Sequence, residues 1–320
     1  MTYCDSCASG TAEMDWRTLD RRPTRVIAHR GASGLRPEHT RTGYELAIAQ
    51  GADLIEPDLV PSRDGTLFAR HDAGLARSTD IARRTGFATR GMRDRSGQRD
   101  WPVERFLGAE LDSLRAVQPF GGRSRAFNSR LALPRFTDVL DIAAAHSNAA
   151  RRVGIYPELK HPAHFAARGI DVTAICIELL RVRGHHGKAD PVWLQCFEIE
   201  PLQRVHAALA LPVFFLVEPA DIGDVGWLRA LHARHPWLDG IAVPKSVLIG
   251  VQGSPKLLAA AHDLGWQVHV WTVRDDQVMP GFASVQQELS ALYALGVDAL
   301  FADFPETAVA ARAAIVADAT

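Results

Sequence analysis

Short apolar runs rich in Val, Ile, Leu and Phe recur along the chain, at 25–28, 54–60, 153–158, 192–197, 213–217, 240–243, 267–273 and 299–302. Runs of this length bounded by turn residues read as buried strands. Between most of them lie stretches with apolar residues three and four apart, such as Tyr44, Ala47 and Ile48, or Leu202, Val205 and Leu209, which is the spacing of one helix face. Eight strands alternating with helices predict an α/β fold, a TIM (β/α)8 barrel. The alternative is an open doubly wound sheet, for which no glycine-rich dinucleotide turn follows any run.

The alternation breaks once, between His71 and Arg135, where a long stretch with Gly, Arg and Pro precedes the helix-like Phe136 to Ala145. Segments this long inside a domain are usually functional or locally folded. The expected organisation is a flexible tail over 1–22 and a barrel over 23–320, with an inserted subdomain after the second strand at about 73–134 that caps one end. From Arg77 to Arg135 there are thirteen arginines and no lysine against six carboxylates, a local excess of seven positive charges. Two readings are open for them: a solvated, mobile surface loop, or an electropositive lid that attracts an anionic substrate.

The remaining composition narrows the partners. A formal net charge of -1 over 320 residues gives no overall case for nucleic acid or a membrane surface. The longest purely apolar run, Leu209 to Val217, is too short to cross a bilayer and contains Pro212, so no stable membrane insertion is expected. Residues 1–20 lack a basic segment followed by an apolar one, which reads as a cytoplasmic protein with reduced thiols, the alternative being a periplasmic one whose export signal the start site hides. Cys4 and Cys7 form a CxxC without the second ligand pair that a structural zinc site needs, and Cys176 and Cys196 read as buried thiols.

Chemistry concentrates at the ends of the early strands. Glu56 and Asp58 lie two apart in a strand-like run, so both project to one side. Glu158 and Lys160 repeat that spacing at the end of the next strand. Three carboxylates meeting at one barrel mouth would repel one another without a cation, and oxygen donors alone suit Mg²⁺ or Ca²⁺ better than zinc. His29 sits at a strand-to-loop junction and His71 ends a hairpin-like segment, which is the pattern of an acid/base pair. Arg30 and Lys160 are candidates to hold phosphate oxygens, or else they pair with the acids. Trp271 is a candidate wall for substrate carbons, or a packed core residue.

These residues resemble the glycerophosphodiester phosphodiesterase family. The likeness rests on His29-Arg30-Gly31-Ala32 with Pro37-Glu38-His39-Thr40, on Gly51 to Asp58, on Asp64-Gly65 leading to His71-Asp72, on Glu158-Leu159-Lys160, on Trp271-Thr272-Val273, and on Gly296 to Pro305. The resemblance implies a TIM barrel with an insertion after the second strand, a divalent metal on Glu56, Asp58 and Glu158, and His29 and His71 as general acid and base. It implies hydrolysis of glycerophosphodiesters to an alcohol and sn-glycerol 3-phosphate. His39 stands where many members carry Asn, a variant similar to the periplasmic-type branch. Two other readings are a phospholipase D-like activity on lysophospholipids and a non-catalytic binding barrel.

Overall fold

A computed structural model describes residues 16–93, 96–250 and 253–318. Eight parallel strand positions close into a barrel: Arg25–His29, Leu54–Glu56 continued by Asp58–Pro61, Gly154–Ile155 continued by Glu158–Leu159, Leu194–Cys196, Val213–Leu216, Gly240–Pro244, Gln267–Val273 and Ala299–Ala302. The last strand pairs with the first, Arg25 opposite Ala299 through Ala28 opposite Ala302, which closes the ring. The eight apolar runs of the sequence are thus the eight staves of a TIM barrel. The second and third runs read as continuous but are each interrupted, at Pro57 and before Glu158 at Pro157. Proline has no N–H to give the ladder, so pairing stops and resumes beyond it.

Alternation along each strand sorts side chains into two cores. Val26 and Ala28 face the helices while Ile27 faces the barrel interior; Ile55 faces outward while Leu54 faces inward. Tyr156, Phe214 and Phe301 complete the interior packing. On the outer layer, the helix Arg41–Ala49 buries Tyr44, Ala47 and Ile48, the three residues whose spacing marks it. The Thr40 hydroxyl caps it by accepting from the Gly43 N–H at 3.3 Å.

The arginine-rich segment is not a solvated loop. It folds around its own core of Leu75, Ile81, Trp101, Val103, Phe106, Leu111 and Leu114, packed against Val60 and Phe68 of the barrel hairpin. Several of its arginines are committed to carboxylates: Arg84 to Asp80 at 2.7 Å, Arg90 to Glu110 at 2.6 Å and Arg135 to Asp112 at 2.5 Å. These pairs use carboxylates already counted in the segment's balance, so its net excess of seven positive charges stands. At the other end, the segment expected to be a loose tail is packed from Trp16 onward: Trp16 is buried edge-on against Tyr293, and the Leu19 N–H donates to Asp298. Cys4 and Cys7 lie outside the described residues. Cys176 and Cys196 are buried free thiols, and no described helix is long and apolar enough to cross a membrane.

Candidate active site

The strand register assembles the site. Ile27 faces inward, so His29, two residues on, follows it to the mouth of the barrel; Glu56 stands in the same relation to Leu54. The ladder then sets His29 opposite Glu56, Asp58 opposite Glu158, and Glu158 opposite Gln195. His71 arrives by a different route. The strand Leu67–Ala69 folds back antiparallel on Asp58–Pro61, and the Arg70 N–H donates to the Asp58 carbonyl, which leaves His71 beside the acids.

The loop after the first strand turns through two successive left-handed residues, Arg30 at φ 60° and Gly31 at φ 82°. Glycine is required at the second: a Cβ there would stand 2.8 Å from the Gly43 carbonyl carbon, and only glycine takes that φ without strain. The turn aims both ends of Arg30 inward. Its backbone N–H donates to Glu56 at 2.9 Å, and its guanidinium meets Glu38 at 2.9 Å and Asp58 at 3.1 Å. His39, also left-handed at φ 53°, donates from Nε2 to Asp58 at 2.9 Å, while its Nδ1 accepts from the Tyr44 hydroxyl at 2.8 Å. Lys160 pairs with Glu158 at 2.7 Å and reaches Asp58 at 3.9 Å.

Glu56, Asp58 and Glu158 each bring one carboxylate oxygen into a group lying within 4.8 Å of one another, all buried. Burial, together with Asp58 and Glu158, pushes the Glu56 carboxyl well above its ordinary range. Burial also pushes Glu158 up, to about 8, against the opposing pull of Lys160. Asp58 goes the other way: burial would raise it, but Arg30, Lys160 and its hydrogen bond from His39 outweigh that and hold it well below the carboxylate range. Two acids that cannot easily ionise together in one dry spot mark a place where a cation would relieve the repulsion. The donor set, oxygen only, fits a hard divalent ion.

Seven of the eight expected residues, His29, Arg30, Glu56, His71, Glu158, Lys160 and Trp271, line one cavity of about 140 Å³, shared with Gln195, Phe197, Leu216 and Arg274. Asp58 lies just behind it, held by Arg30 and His39. Both histidines are oriented by aspartates. His29 Nδ1 lies 2.6 Å from Asp303, and because a carboxylate only accepts, Nδ1 carries the proton and Nε2 is left with its lone pair. Burial, reinforced by Arg30 and opposed by Asp303, pushes the His29 imidazole down to about 4, so it is neutral at pH 7. His71 Nδ1 lies 2.6 Å from Asp72. Half-buried Trp271 meets Phe197 edge-on, and its indole N–H, itself enclosed, has no partner.

Sequence reasoning passed over several of these side chains. Asp303 lies in a motif quoted for the resemblance but signals nothing by itself, because its partner is 274 positions away. Glu38 was visible only as part of a motif. Gln195, whose amide donates to Glu56 at 3.3 Å, and Arg123, which donates to Asp303 at 2.6 Å, carried no usable signal.

Comparison with known proteins places the chain in a family. A sequence model of the glycerophosphoryl diester phosphodiesterase family matches residues 29–307. A glycerophosphodiester phosphodiesterase of Haemophilus influenzae is 28% identical over 327 residues, covering 89% of this chain and 88% of that protein. One from Arabidopsis thaliana is 29% identical over 318 residues, covering 87% and 83%. Among solved structures, an Oleispira antarctica phosphodiesterase in complex with the product sn-glycerol-3-phosphate superposes with a TM-score of 0.68 at 21% identity, over 92% of this chain and 99% of that one. A glycerophosphodiester phosphodiesterase of Agrobacterium tumefaciens gives 0.59 at 23% identity, over 90% and 99%. At such identities these two speak to the fold. The family match over residues 29–307 settles the assignment: the chain belongs to the glycerophosphoryl diester phosphodiesterase family, a family of hydrolases.

Proposed function

We propose that this protein hydrolyses glycerophosphodiesters to an alcohol and sn-glycerol 3-phosphate, with His29 and His71 exchanging the protons and a divalent cation, Mg²⁺ or Ca²⁺, held by Glu56, Asp58 and Glu158. The observation that carries the reading is the single cavity onto which two aspartate-oriented histidines, a buried carboxylate group and the cations Arg30 and Lys160 all open. When bound, the ion would supply positive charge for the phosphate oxygens as negative charge develops on them.

The chain's own residues divide the remaining work. Neutral His29, with Nε2 free, is placed to take the proton from the attacking hydroxyl or water. His71, part-exposed and in reach of solvent, is placed to protonate the departing alkoxide and to exchange its proton with water afterwards. Arg30 and Lys160, already tied to acids on one side, add positive potential around the phosphate. Trp271, Phe197 and Leu216 offer an apolar wall to the glycerol carbons. The cavity is small, which suits a phosphate with a three-carbon polyol inside and the alcohol group outside.

The test is to incubate the protein with several glycerophosphodiesters and, in parallel, lysophosphatidylcholine, with and without EDTA, and to measure glycerol 3-phosphate from the diesters and choline from the lysolipid. Expected is release from the diesters, loss with EDTA and recovery on adding Mg²⁺ or Ca²⁺. No glycerol 3-phosphate from any diester would overturn the proposal, and turnover of the lysolipid alone would replace it with a lysophospholipase D-like activity.

A further inference from the structure

Asp303 is almost wholly buried, and burial alone would push its carboxyl up. His29, Arg123 and Arg274 outweigh that and hold it well below the usual carboxylate range. One oxygen, Oδ1, accepts from His29 at 2.6 Å. The other, Oδ2, accepts from Arg123 at 2.6 Å and from Arg274 at 3.0 Å. The rotamer that faces His29 is therefore fixed from behind by two guanidinium groups.

Those two arginines differ in origin. Arg274 follows the seventh barrel strand, in the loop next to Asp303, and its side chain is a quarter exposed. Arg123 comes from the inserted subdomain, and its side chain is only 3% exposed. It forms a fork on Asp276, Nε to Oδ2 at 2.7 Å and Nη2 to Oδ1 at 3.1 Å, and its Nη1 donates to the Ser33 carbonyl at 3.3 Å. Its guanidinium stacks 4.3 Å from the Phe120 ring. Five residues earlier, Gln118 latches the same segment to the same loop by donating to the Ser33 and Arg36 carbonyls, both at 3.1 Å, without touching Asp303.

We infer that Arg123 is a positioning residue for His29: the inserted subdomain reaches into the barrel mouth and holds Asp303 in the orientation that fixes the His29 tautomer. The insertion thereby contributes one buried cation to the active site. A bidentate arginine is suited to this because its planar fork satisfies Asp276 and Asp303 together and leaves neither carboxylate free to rotate. With Arg123 gone, Asp303 Oδ2 keeps only the wetter Arg274, and a side chain free to swing no longer pins Nδ1.

The inference rests on the reading of His29 as the proton acceptor, and two readouts separate the two claims. In kinetics, Arg123→Gln is expected to lower kcat roughly 10- to 100-fold with KM changed by less than about threefold, while Arg123→Lys recovers most of the loss. Gln118→Ala, which loosens the same segment without touching Asp303, is expected to leave kcat within about threefold. In proton NMR, the downfield Nδ1–H signal of His29, assigned by its loss in His29→Gln, is expected to broaden or vanish in Arg123→Gln and persist in Arg123→Lys. Asp276→Asn, at the solvent end of the fork, should give the same changes at reduced size and carries the test if Arg123→Gln does not fold. An unchanged Nδ1–H signal, or a Gln118→Ala defect as large as that of Arg123→Gln, overturns the inference. A wild-type protein that shows the signal but releases no glycerol 3-phosphate overturns the functional reading instead.

Discussion

Two histidine–aspartate pairs serve one cavity, and each is 2.6 Å long. Their surroundings differ in every other respect. His29 and Asp303 are 274 positions apart, with side chains 12% and 1% exposed, and the aspartate has two arginines behind it. His71 and Asp72 are neighbours in sequence, 30% and 24% exposed, and the aspartate has one half-exposed arginine, Arg77, at 3.4 Å. Equal distances therefore do not mean equal stiffness. The first pair is held by tertiary structure in a dry site, where a hydrogen bond is strong and a misplaced charge is costly; the second is held mainly by chain connectivity, in contact with water. One pair is shielded from water by its surroundings, and the other is open to it.

The bluntest way to probe the contrast is to remove each imidazole. His29→Ala and His71→Ala should each lower kcat by about 10² to 10⁴ if both are general catalysts. The comparison adds a second expectation. Imidazole added to the solution should restore part of the activity of His71→Ala, whose site is open, and much less of His29→Ala, whose site is closed. Near-wild-type turnover in both variants would remove the histidines from the mechanism; equal rescue of both would remove the distinction between a dry and a wet pair.

Acid separates the pairs by stability. The folded His29 pKa lies near 4, below its unfolded value of about 6.5, so the unfolded chain takes the proton first as the pH falls. Stability is therefore lost between about pH 6.5 and 4, by roughly 3 kcal/mol from this group, and the loss levels off below 4. Urea midpoints measured from pH 7 to 4 should fall more steeply for the wild type than for His29→Gln. Parallel slopes would mean that folding does not depress His29.

The aspartates give a subtler contrast. Asp303→Asn keeps the shape but can present an amide N–H to His29, favouring the wrong tautomer, and should cost roughly 10- to 100-fold in kcat. Asp72→Asn should cost less than about tenfold, because water can replace the lost acceptor at a part-exposed site. A larger effect at Asp72 than at Asp303 would reverse the ranking drawn from burial.

The same contrast explains what could be read from the sequence. The barrel was legible because a buried strand writes itself as a short apolar run, and eight such runs occur. The acids, His29 and Lys160 were legible because polar residues at the ends of those runs have few structural reasons to be there. His71–Asp72 is visible as an adjacent pair. Asp303 is not paired with His29 by any local pattern; only ring closure, which sets Ala28 opposite Ala302, brings them together. Arg123 was hidden among thirteen arginines, since nothing in composition separates the one that turns inward from those that bind acids on the subdomain surface. For the same reason the segment reads first as a solvated loop, with a lid as the second reading: its core residues are spread over irregular turns without a period of 2 or 3.6. Pro57 and Pro157 were plain in the sequence, yet they break the strands without displacing the acids, because the ladder resumes with Asp58 opposite Glu158.

The smallest expected effect tests whether the outer pair needs its arginine at all. Arg77 is 47% exposed and approaches Asp72 at 3.4 Å, a geometry in which solvent screening leaves a median ion-pair contribution of about 0–1 kcal/mol. Arg77→Gln should then change kcat/KM by less than about threefold at 0.15 M salt, and even that difference should shrink as salt rises. Arg123→Gln, at a buried carboxylate, should keep its defect at high salt, because a desolvated pair is screened far less. A salt series on the two variants thus compares one arginine behind each aspartate. If Arg77→Gln proved as damaging and as salt-insensitive as Arg123→Gln, the two pairs would be equivalent in kind, and burial would not be what distinguishes the two halves of this site.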